Sequence, residues 1–523
     1  MLNEVADHLE RLPPQSREEV NELIKSISQK YSLRTLPKYS EILQSLPEEK
    51  RSIMQKYLRV KPVRTASGIV AIGVMTRPFP CPHGTCTFCP GGVPFGTPQS
   101  YIGTEPATMR AIQNEFDPFR QISSRLRQLA ISGHSVSKVE LVIQGGTFLS
   151  LPYDYQEEFV KSCFEALIDR RCSSLDEAHT LAETAPVRNV GLTIETKPDF
   201  CKEQHIDLML RYGGTRVEIG VQALDNEILK LANRGHTLQD TVKAFQVARD
   251  AGFKIVAHMM PGLPGSNPER DFSFFERLFE DSAFKPDMLK VYPTLIVHHT
   301  ALNGLYKLGR YKPYDVETTV NLLADVKRII PKWVRIMRIQ REFGSSDIMA
   351  GVKNSNLREL VLEEVRRRGY SCGCIRCREV GLKQLKYGSP LKMENVKLLR
   401  QDYEASGGPE VFLSFEDVIE DALIGFLRLR VPSEMAHRPE LIGKSSCIIR
   451  ELHVYGQMIP LGARDSVAWQ HRGYGSALMA EAERIAREEF AAEKILVISG
   501  VGTREYYRRL GYEREGPYMS KRL

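Results

Sequence analysis

A partial parallel (β/α)6 barrel, followed by a second α/β domain and preceded by a small helical module, is the architecture that the 523 residues predict. Three observations carry this. Six short runs rich in Val, Ile and Leu recur at helix-length intervals, as the strands of a doubly covered parallel sheet do. Unusual polar residues stand at the C-terminal ends of those runs, where barrel enzymes keep their chemistry. The last 130 or so residues carry their own strands and one long amphipathic helix, and a chain this long needs more than one core.

Residues 1 to about 62 have helical periodicity broken by Pro13, Pro14, Pro37 and Pro47, and they hold no catalytic motif. The barrel segment runs from about 63 to 330. Its strands are IVAIGVM (69–75), VELVIQG (139–145), VGLTIET (190–196), TRVEIGVQ (215–222), FKIVAHMM (253–260) and MLKVYPT (288–294). Residues 331 to about 391 read as a basic connector ending in clustered cysteines. From about 392 to 523 comes the second α/β domain, with the strand IIRELHVYG (448–456), a helix over about 473–490 and the late strand KILVISG (494–500).

Composition is that of an ordinary soluble chain, with 42% hydrophobic and 26% charged residues. No apolar run reaches the roughly 18 residues of a membrane span. The first residues, MLNEVADHLE, are polar and mixed in charge, which argues against a signal peptide and for the cytoplasm. Net charge is +7. Arg51, Lys56, Arg59, Lys61 and Arg64 crowd one stretch; Arg366, Arg367, Arg368, Arg376, Arg378, Lys383 and Lys386 crowd another. Two basic clusters flanking a catalytic domain fit a phosphate backbone, with solvated helix faces as the plain alternative.

Six of the 10 cysteines fall in two tight groups. A reducing compartment disfavours structural disulfides, so clustered thiols read as metal ligands. FPCPHGTCTFCPGG sets Cys81, Cys86 and Cys89 directly after the first strand. Three thiolates can hold a [4Fe–4S] cube and leave one iron open. Zinc, with His83 as the fourth ligand, is the alternative on spacing alone. The barrel lining adds Glu195, Lys197, Glu218, Gln222, His258, Lys290 and Tyr292, polar groups that are costly on apolar parallel strands without partners. They predict a polar site at the barrel mouth, with Lys290 catalytic and Glu218 and Gln222 binding a cofactor; a structural salt-bridge network is the alternative.

Downstream, WQHRGYGSALM presents Gln470, Gly473, Tyr474 and Gly475 at the start of the long helix. Backbone N–H groups there suit a pyrophosphate.

The first cysteine loop resembles that of the radical-SAM superfamily, although its C-x4-C-x2-C spacing is one residue longer than the usual C-x3-C-x2-C. Gly145, Gly146 and Thr147 are similar to the glycine-rich turn that receives SAM. The second domain resembles the GNAT acetyltransferase fold. By that likeness Glu451, Leu452, His453 and Val454 and the glycine loop would bind acetyl-CoA, and Tyr506 or Tyr507 would protonate the departing thiolate. The combination resembles the catalytic subunit of the Elongator family in its single-chain bacterial or archaeal form. CPHGTCTFCPGG, SYIGTEPATMRA, SKVELVIQGGTF, IETKPD, VEIGVQ, NRGHT, HMMPGLPG, RIQRE, ELHVYG, QHRGYG and ISGVGTREYYRRLGY carry that likeness.

The resemblance implies an enzyme that makes 5-carboxymethyluridine at the wobble position, uridine 34, of tRNA. A SAM-derived radical would activate the methyl of acetyl-CoA, the carbon would add to uridine C5, and thioester hydrolysis would release the product. Lys138 matches a family position associated with acetyl-CoA. The tRNA anticodon stem-loop and an electron donor for the cluster are the implied partners. Cys372, Cys374 and Cys377 would hold a structural zinc with a fourth ligand from His236, His258, His298 or His299, or else remain reduced thiols. Two other functions fit the same residues: a protein lysine N-acetyltransferase with a structural or regulatory iron–sulfur domain, and a non-catalytic tRNA-binding scaffold sensing acetyl-CoA and SAM.

Overall fold

The computed structural model describes residues 2–12, 16–33, 35–47, 51, 54, 57–388, 391–442, 445–456 and 473–523. Gln470 and Lys56, both singled out by the sequence, lie outside them. Among the described residues no helix is long and apolar enough to cross a membrane.

The N-terminal helices Leu2–Arg11, Arg17–Lys30 and Tyr39–Ser45 close around their own small core of Val5, Leu9, Val20, Ile24 and Ile42. Ser16 starts the second of them by accepting a hydrogen bond from the Glu19 N–H at 3.2 Å.

Next comes a sheet of seven parallel strands: β1 (Val70–Met75), β2 (Lys138–Gln144), β3 (Arg188–Thr196), β4 (Arg216–Gln222), β5 (Lys254–Met259), β6 (Met288–Val291) and β7 (Arg335–Arg338). Spatial order follows chain order, so β1 and β7 are the two edges and the barrel stays open between them. Five of the six predicted strands fall within two residues of these bounds, and the sixth ends three residues earlier than predicted, at Val291. The seventh, Arg-Ile-Met-Arg, lies inside the stretch the sequence reads as connector. It pairs with β6 from Met288↔Arg335 to Lys290↔Arg338, but its two arginines hide it from a search for apolar runs. Strand alternation sends Val70, Ile72 and Val74 into the core. The opposite face of β1 carries only Ala71 and Gly73 before Met75, and Ala71 is exposed.

The C-terminal domain is a second seven-stranded sheet: β8 (Val396–Ala405), β9 (Gly408–Asp417), β10 (Ala422–Arg430), β11 (Ser446–Val454), β12 (Lys494–Val497), β13 (Glu513–Glu515) and β14 (Tyr518–Arg522). Its order is β8-β9-β10-β11-β12-β14-β13. β11 and β12 are its one parallel pair, and they stay bonded only from Ser446↔Lys494 to Ile449↔Val497. Beyond Ile449 the strands splay, and residues 450–454 face a gap on that side.

This domain docks under the N-terminal ends of the barrel strands. Arg450 reaches across to Asp287, just before β6, at 2.6 Å, and to Glu410 at 2.8 Å; Arg430 meets Asp250 at 2.5 Å. All five side chains are fully buried, so removing any one leaves an uncompensated charge. Gly500 and Gly502 press onto the first residues of β3: a Cβ at Gly500 would stand 2.4 Å from the Val190 carbonyl carbon. Trp333 stacks on Tyr403 across the same seam, with ring centroids 4.3 Å apart.

Candidate active site: two chambers in one barrel

A cavity of about 120 Å³ opens at the C-terminal ends of β1–β7. The loop after β1 delivers Cys81, Cys86 and Cys89 to its rim, with Cys86 and Cys89 buried. Cys89 Sγ lies 2.9 Å from Ser100 Oγ, and the Arg234 guanidinium approaches Cys86 Sγ to 3.4 Å. Burial, with Cys89 and Cys86 alongside, pushes the Cys81 thiol up to about 11. Two thiolates on one zinc at about 2.3 Å each stand no more than about 4.6 Å apart. Among the described residues the metal-ligand groups gathered within 4.8 Å do not include this loop, so its sulfurs span more than one ion. His83 Nε2 instead sits 3.2 Å from Cys86 Sγ. Three thiols at a wide spacing beside a cation fit a [4Fe–4S] cluster.

The turn after β2 requires its glycines. Gly145 has φ +130° and a Cβ there would come within 2.1 Å of Thr76 Oγ1; Gly146 has φ +101° and lies against Cys81 Sγ. Gln222 ends β4 at φ +72°, a conformation costly for a side-chain-bearing residue. Several buried polar atoms of residues lining this chamber have no protein partner: Glu218 Oε1, Gln222 Oε1 and Arg234 Nε. Unsatisfied polar groups in that number mark space for a polar ligand. They fit SAM beside the cluster.

The predicted polar set does assemble. His258 Nε2 lies 2.9 Å from Glu218 Oε2, Lys290 donates to the same oxygen, and Glu195 stands 3.9 Å from the ammonium. Burial alone would neutralise Glu218, but Lys290 and His258 outweigh it and hold its carboxyl well below the usual range. For Lys290, burial pulls down and Glu218 wins, raising it. Burial keeps His258 below its ordinary value, hence neutral and donating. Tyr101 and Gln144 both hydrogen-bond Glu195, at 3.2 and 3.1 Å. The sequence reading gave no site role to Tyr101, Gln144, Arg234 or Arg338, although SYIGTEPATMRA, SKVELVIQGGTF, NRGHT and RIQRE contain them. For Gln144 the signal was available, since it shares the β2 face with Glu140.

A second cavity, about 690 Å³, lies at the other end of the same strands. Its floor is the splayed half of β11, with Glu451, Leu452, His453 and Val454; its roof is Lys138, Glu140, Arg216 and Lys254 from the starts of β2, β4 and β5. Arg216 pairs with Glu140 at 2.7 Å. Burial pushes Lys138 and Lys254 down to about 8. Gly473, at φ +89°, starts the helix Tyr474–Glu488, and Gly475 packs so closely on Tyr506 that a Cβ would stand 2.9 Å from its hydroxyl. Tyr474 packs against Phe415. Tyr507 lines the cavity, and Tyr506 meets it edge-on at 5.2 Å. An unpaired strand edge over a roomy floor, next to a helix N-terminus, fits an extended acyl-carrying cofactor. Glu451 is not a free base, because the Arg428 Nε–H donates to it at 2.9 Å and helps hold it below its ordinary value.

The remaining predicted residues have other surroundings. Cys372, Cys374 and Cys377 converge, their sulfurs all within 4.8 Å. None of the four histidines joins them; Lys327 Nζ does, at 3.5 Å from Cys372 Sγ and 3.8 Å from Cys377 Sγ. Much of the basic charge is used internally. Arg51 donates to the Leu43, Gln44 and Leu46 carbonyls, Arg59 to Gly133, and Lys383 to Glu420 and Asp421. Arg367 and Arg368 pair with Glu364, and Arg378 with Glu416 and Asp421. Arg376 is drawn under the barrel, where it lines the lower cavity.

Comparison with known proteins agrees with this geometry. Family models match in succession: an ELP3 N-terminal domain over residues 1–66, the radical SAM superfamily over 79–275, a radical SAM C-terminal domain over 286–367 and the acetyltransferase (GNAT) family over 382–512. The chain is 51% identical over 492 residues to the tRNA uridine(34) acetyltransferase of Methanocaldococcus jannaschii, spanning 93% of this chain and 90% of that one. It is 46% identical over 514 residues to Elongator complex protein 3 of Saccharomyces cerevisiae, 96% and 92% of the two chains. The solved structure of archaeal Methanocaldococcus infernus Elp3 lacking its N-terminus superposes with a TM-score of 0.78, at 46% identity over 87% of this chain and all of that one. Identity at this level over nearly the whole chain, on a structure with both chambers in place, shows that the chain belongs to the Elongator complex protein 3 family.

Proposed function

We propose that this chain is a tRNA uridine(34) acetyltransferase that converts the wobble uridine to 5-carboxymethyluridine, with acetyl-CoA as carbon donor. The single observation that carries the reading is the coexistence of a three-cysteine chamber and a second, roomier chamber bordered by residues 451–454 at opposite ends of one half-barrel. A cluster with SAM, held by Cys81, Cys86, Cys89 and the Gly145–Thr147 turn, supplies a 5′-deoxyadenosyl radical able to remove hydrogen from an unactivated methyl group. The protein's own part is placement. Glu218 and Gln222 orient SAM, and Lys290, pinned by Glu218, keeps a fixed positive charge at the mouth where a flipped, unpaired base enters. In the lower chamber, residues 451–454 and the start of the 474–488 helix hold acetyl-CoA, and Tyr507 stands ready to protonate the leaving thiolate. Tyr506 braces the glycine loop.

Cys372, Cys374 and Cys377, with sulfurs at single-ion spacing, hold one thiophilic metal such as zinc in this reading, with Lys327 balancing the thiolate charge. The lysine acetyltransferase alternative is weaker because Glu451 is committed to Arg428, and the other carboxylates of the lower chamber, Glu140 and Glu342, are paired with Arg216 and Arg338.

The test is anaerobic incubation with unmodified tRNA, SAM, dithionite and methyl-labelled acetyl-CoA, followed by nucleoside mass spectrometry. Labelled 5-carboxymethyluridine that disappears when SAM is omitted supports the proposal. Label on protein lysines, independent of SAM, gives the function to the acetyltransferase alternative.

A further inference from the structure

The proposed reaction leaves an unsolved transport problem: the acetyl group binds at one end of the barrel and the radical forms at the other. Along β2, Glu140 of the lower chamber and Gln144 of the upper chamber are four residues apart, about 13 Å at the usual strand rise. The straight path through the lumen is closed. Below the upper mouth Thr193 and Val256 are buried, and at the mouth itself the buried Glu218–Lys290 ion pair ties β4 to β6.

The open edge of the sheet is different. No ladder joins β1 to β7. The inward face of β1 there carries Ala71, which is exposed and lines the lower cavity, and Gly73, over which the Gln144 side chain folds so closely that a Cβ would stand 2.5 Å from its Oε1. Opposite stand Met337, Arg338 and Glu342. Arg338 and Glu342 line both the upper and the lower cavity. Their ion pair spans 3.1 Å, with side chains 40% and 46% exposed, so it is solvated and held by little energy. Arg110 flanks the same seam, donating to the Gly73 carbonyl at 2.6 Å.

We propose that the two chambers are joined by a side passage along the open edge of the half-barrel, walled by Ala71 and Gly73 on β1 and by Arg338 and Glu342 at β7. Through it the acyl end of acetyl-CoA, on its flexible pantetheine arm, reaches the radical chamber without leaving the protein. Arg338–Glu342 is the gate, the short side chain of Ala71 is the opening, and the Gln144 side chain over Gly73 is what must swing aside at the upper end. This rests on the lower chamber being the acetyl-CoA site, as proposed above.

The test needs neither cluster nor SAM. A short diazirine-bearing acyl-CoA is photolysed on the protein and the labelled residues are mapped by peptide mass spectrometry, with coenzyme A affinity measured by calorimetry. The wild-type protein is expected to carry label both on residues 451–454 and at the upper mouth, on Met260 or Tyr292. Ala71→Phe, which fills the passage from one wall, and Glu342→Trp, which fills it from the other, are each read as upper label relative to lower label, a ratio that does not depend on how much coenzyme A the lower cavity still holds. Each should lower that ratio at least tenfold, whereas Ala71→Ser should leave it unchanged. Upper labelling that survives both bulky variants, or wild-type label confined to the lower chamber, overturns the passage alone. Absence of label from both chambers overturns the acetyl-CoA site, and the passage with it.

Discussion

The two ends of this barrel are built on opposite electrostatic plans. At the C-terminal mouth the charges are matched and locked: Lys290, His258 and Glu195 gather on Glu218, and Arg234 faces the thiols. At the N-terminal mouth cations outnumber acids, with Lys138, Arg216, Lys254, Arg335 and Arg376 set against Glu140 and Glu451. The usual rule gives barrel chemistry to the C-terminal face and stability to the other. Here the second domain closes the lower face into a cavity of about 690 Å³ as well. A locked site suits a reaction in which the reactive species must not wander; an open, cationic one suits a polyanionic cofactor that comes and goes.

The comparison breaks most sharply at the cysteines. Cys86→Ala should reduce modified uridine to background while coenzyme A affinity stays at the wild-type value, read by nucleoside mass spectrometry and calorimetry. A parallel loss of coenzyme A binding would mean the chambers are not independent.

Next in size is the lock. Glu218→Gln leaves the buried Lys290 ammonium without its counter-charge, a loss of about 3–5 kcal/mol expected for half of a buried pair. Lys290→Met in the same protein should restore much of it, measured as denaturant midpoints. If the double variant is no more stable than Glu218→Gln, the pair is not the lock described.

Smaller still is Gly145→Ala, which forces a Cβ into Thr76 at φ +130°. A cost of roughly 1–3 kcal/mol is expected for such backbone strain, with weaker SAM binding and unchanged coenzyme A binding. Equal SAM affinity in the variant would remove the argument that this turn cradles the ligand.

The lower mouth gives the mildest effect, and it depends on pH. Lys254 is pushed down to about 8 by burial, from an ordinary 10.5. Below pH 8 it is protonated both folded and unfolded, and the folded state carries the full cost of a buried charge. Between about 8 and 10.5 the unfolded chain binds more protons, so this group's contribution to stability rises with pH. Lys254→Met should flatten that rise in melting temperature. An identical pH profile in the variant would show that Lys254 is not held neutral in the fold.

Much of this was legible in the sequence because apolar runs and cysteine spacing are local signals. The six strands were visible as Val/Ile/Leu runs, and Cys81, Cys86 and Cys89 by spacing. β7 was hidden because two arginines interrupt its apolar run, Arg335 held by the buried Glu379 and Arg338 facing both cavities, and Arg338 and Glu342 were given no site role although RIQRE contains them. Long-range charge pairing was equally invisible. Nothing near Glu451 in the chain reveals that Arg428, 23 residues earlier, neutralises it from the neighbouring strand. Nothing in the basic clusters reveals that Arg51, Arg59, Arg378 and Lys383 are spent on internal carbonyls and carboxylates rather than offered to phosphates. Lys327 reaches the second cysteine group from the helix Val316–Ile329, some 45 residues away along the chain.

The central claim is that one barrel brings an acetyl methyl and a radical together. It is tested most directly with trideuteromethyl acetyl-CoA, SAM, dithionite and tRNA, by mass spectrometry of the 5′-deoxyadenosine released. The account predicts one deuterium in 5′-deoxyadenosine and two in the carboxymethyl group of the modified uridine. Unlabelled 5′-deoxyadenosine alongside a labelled nucleoside would contradict it, because the methyl hydrogen would then have left by a route that never met the upper chamber.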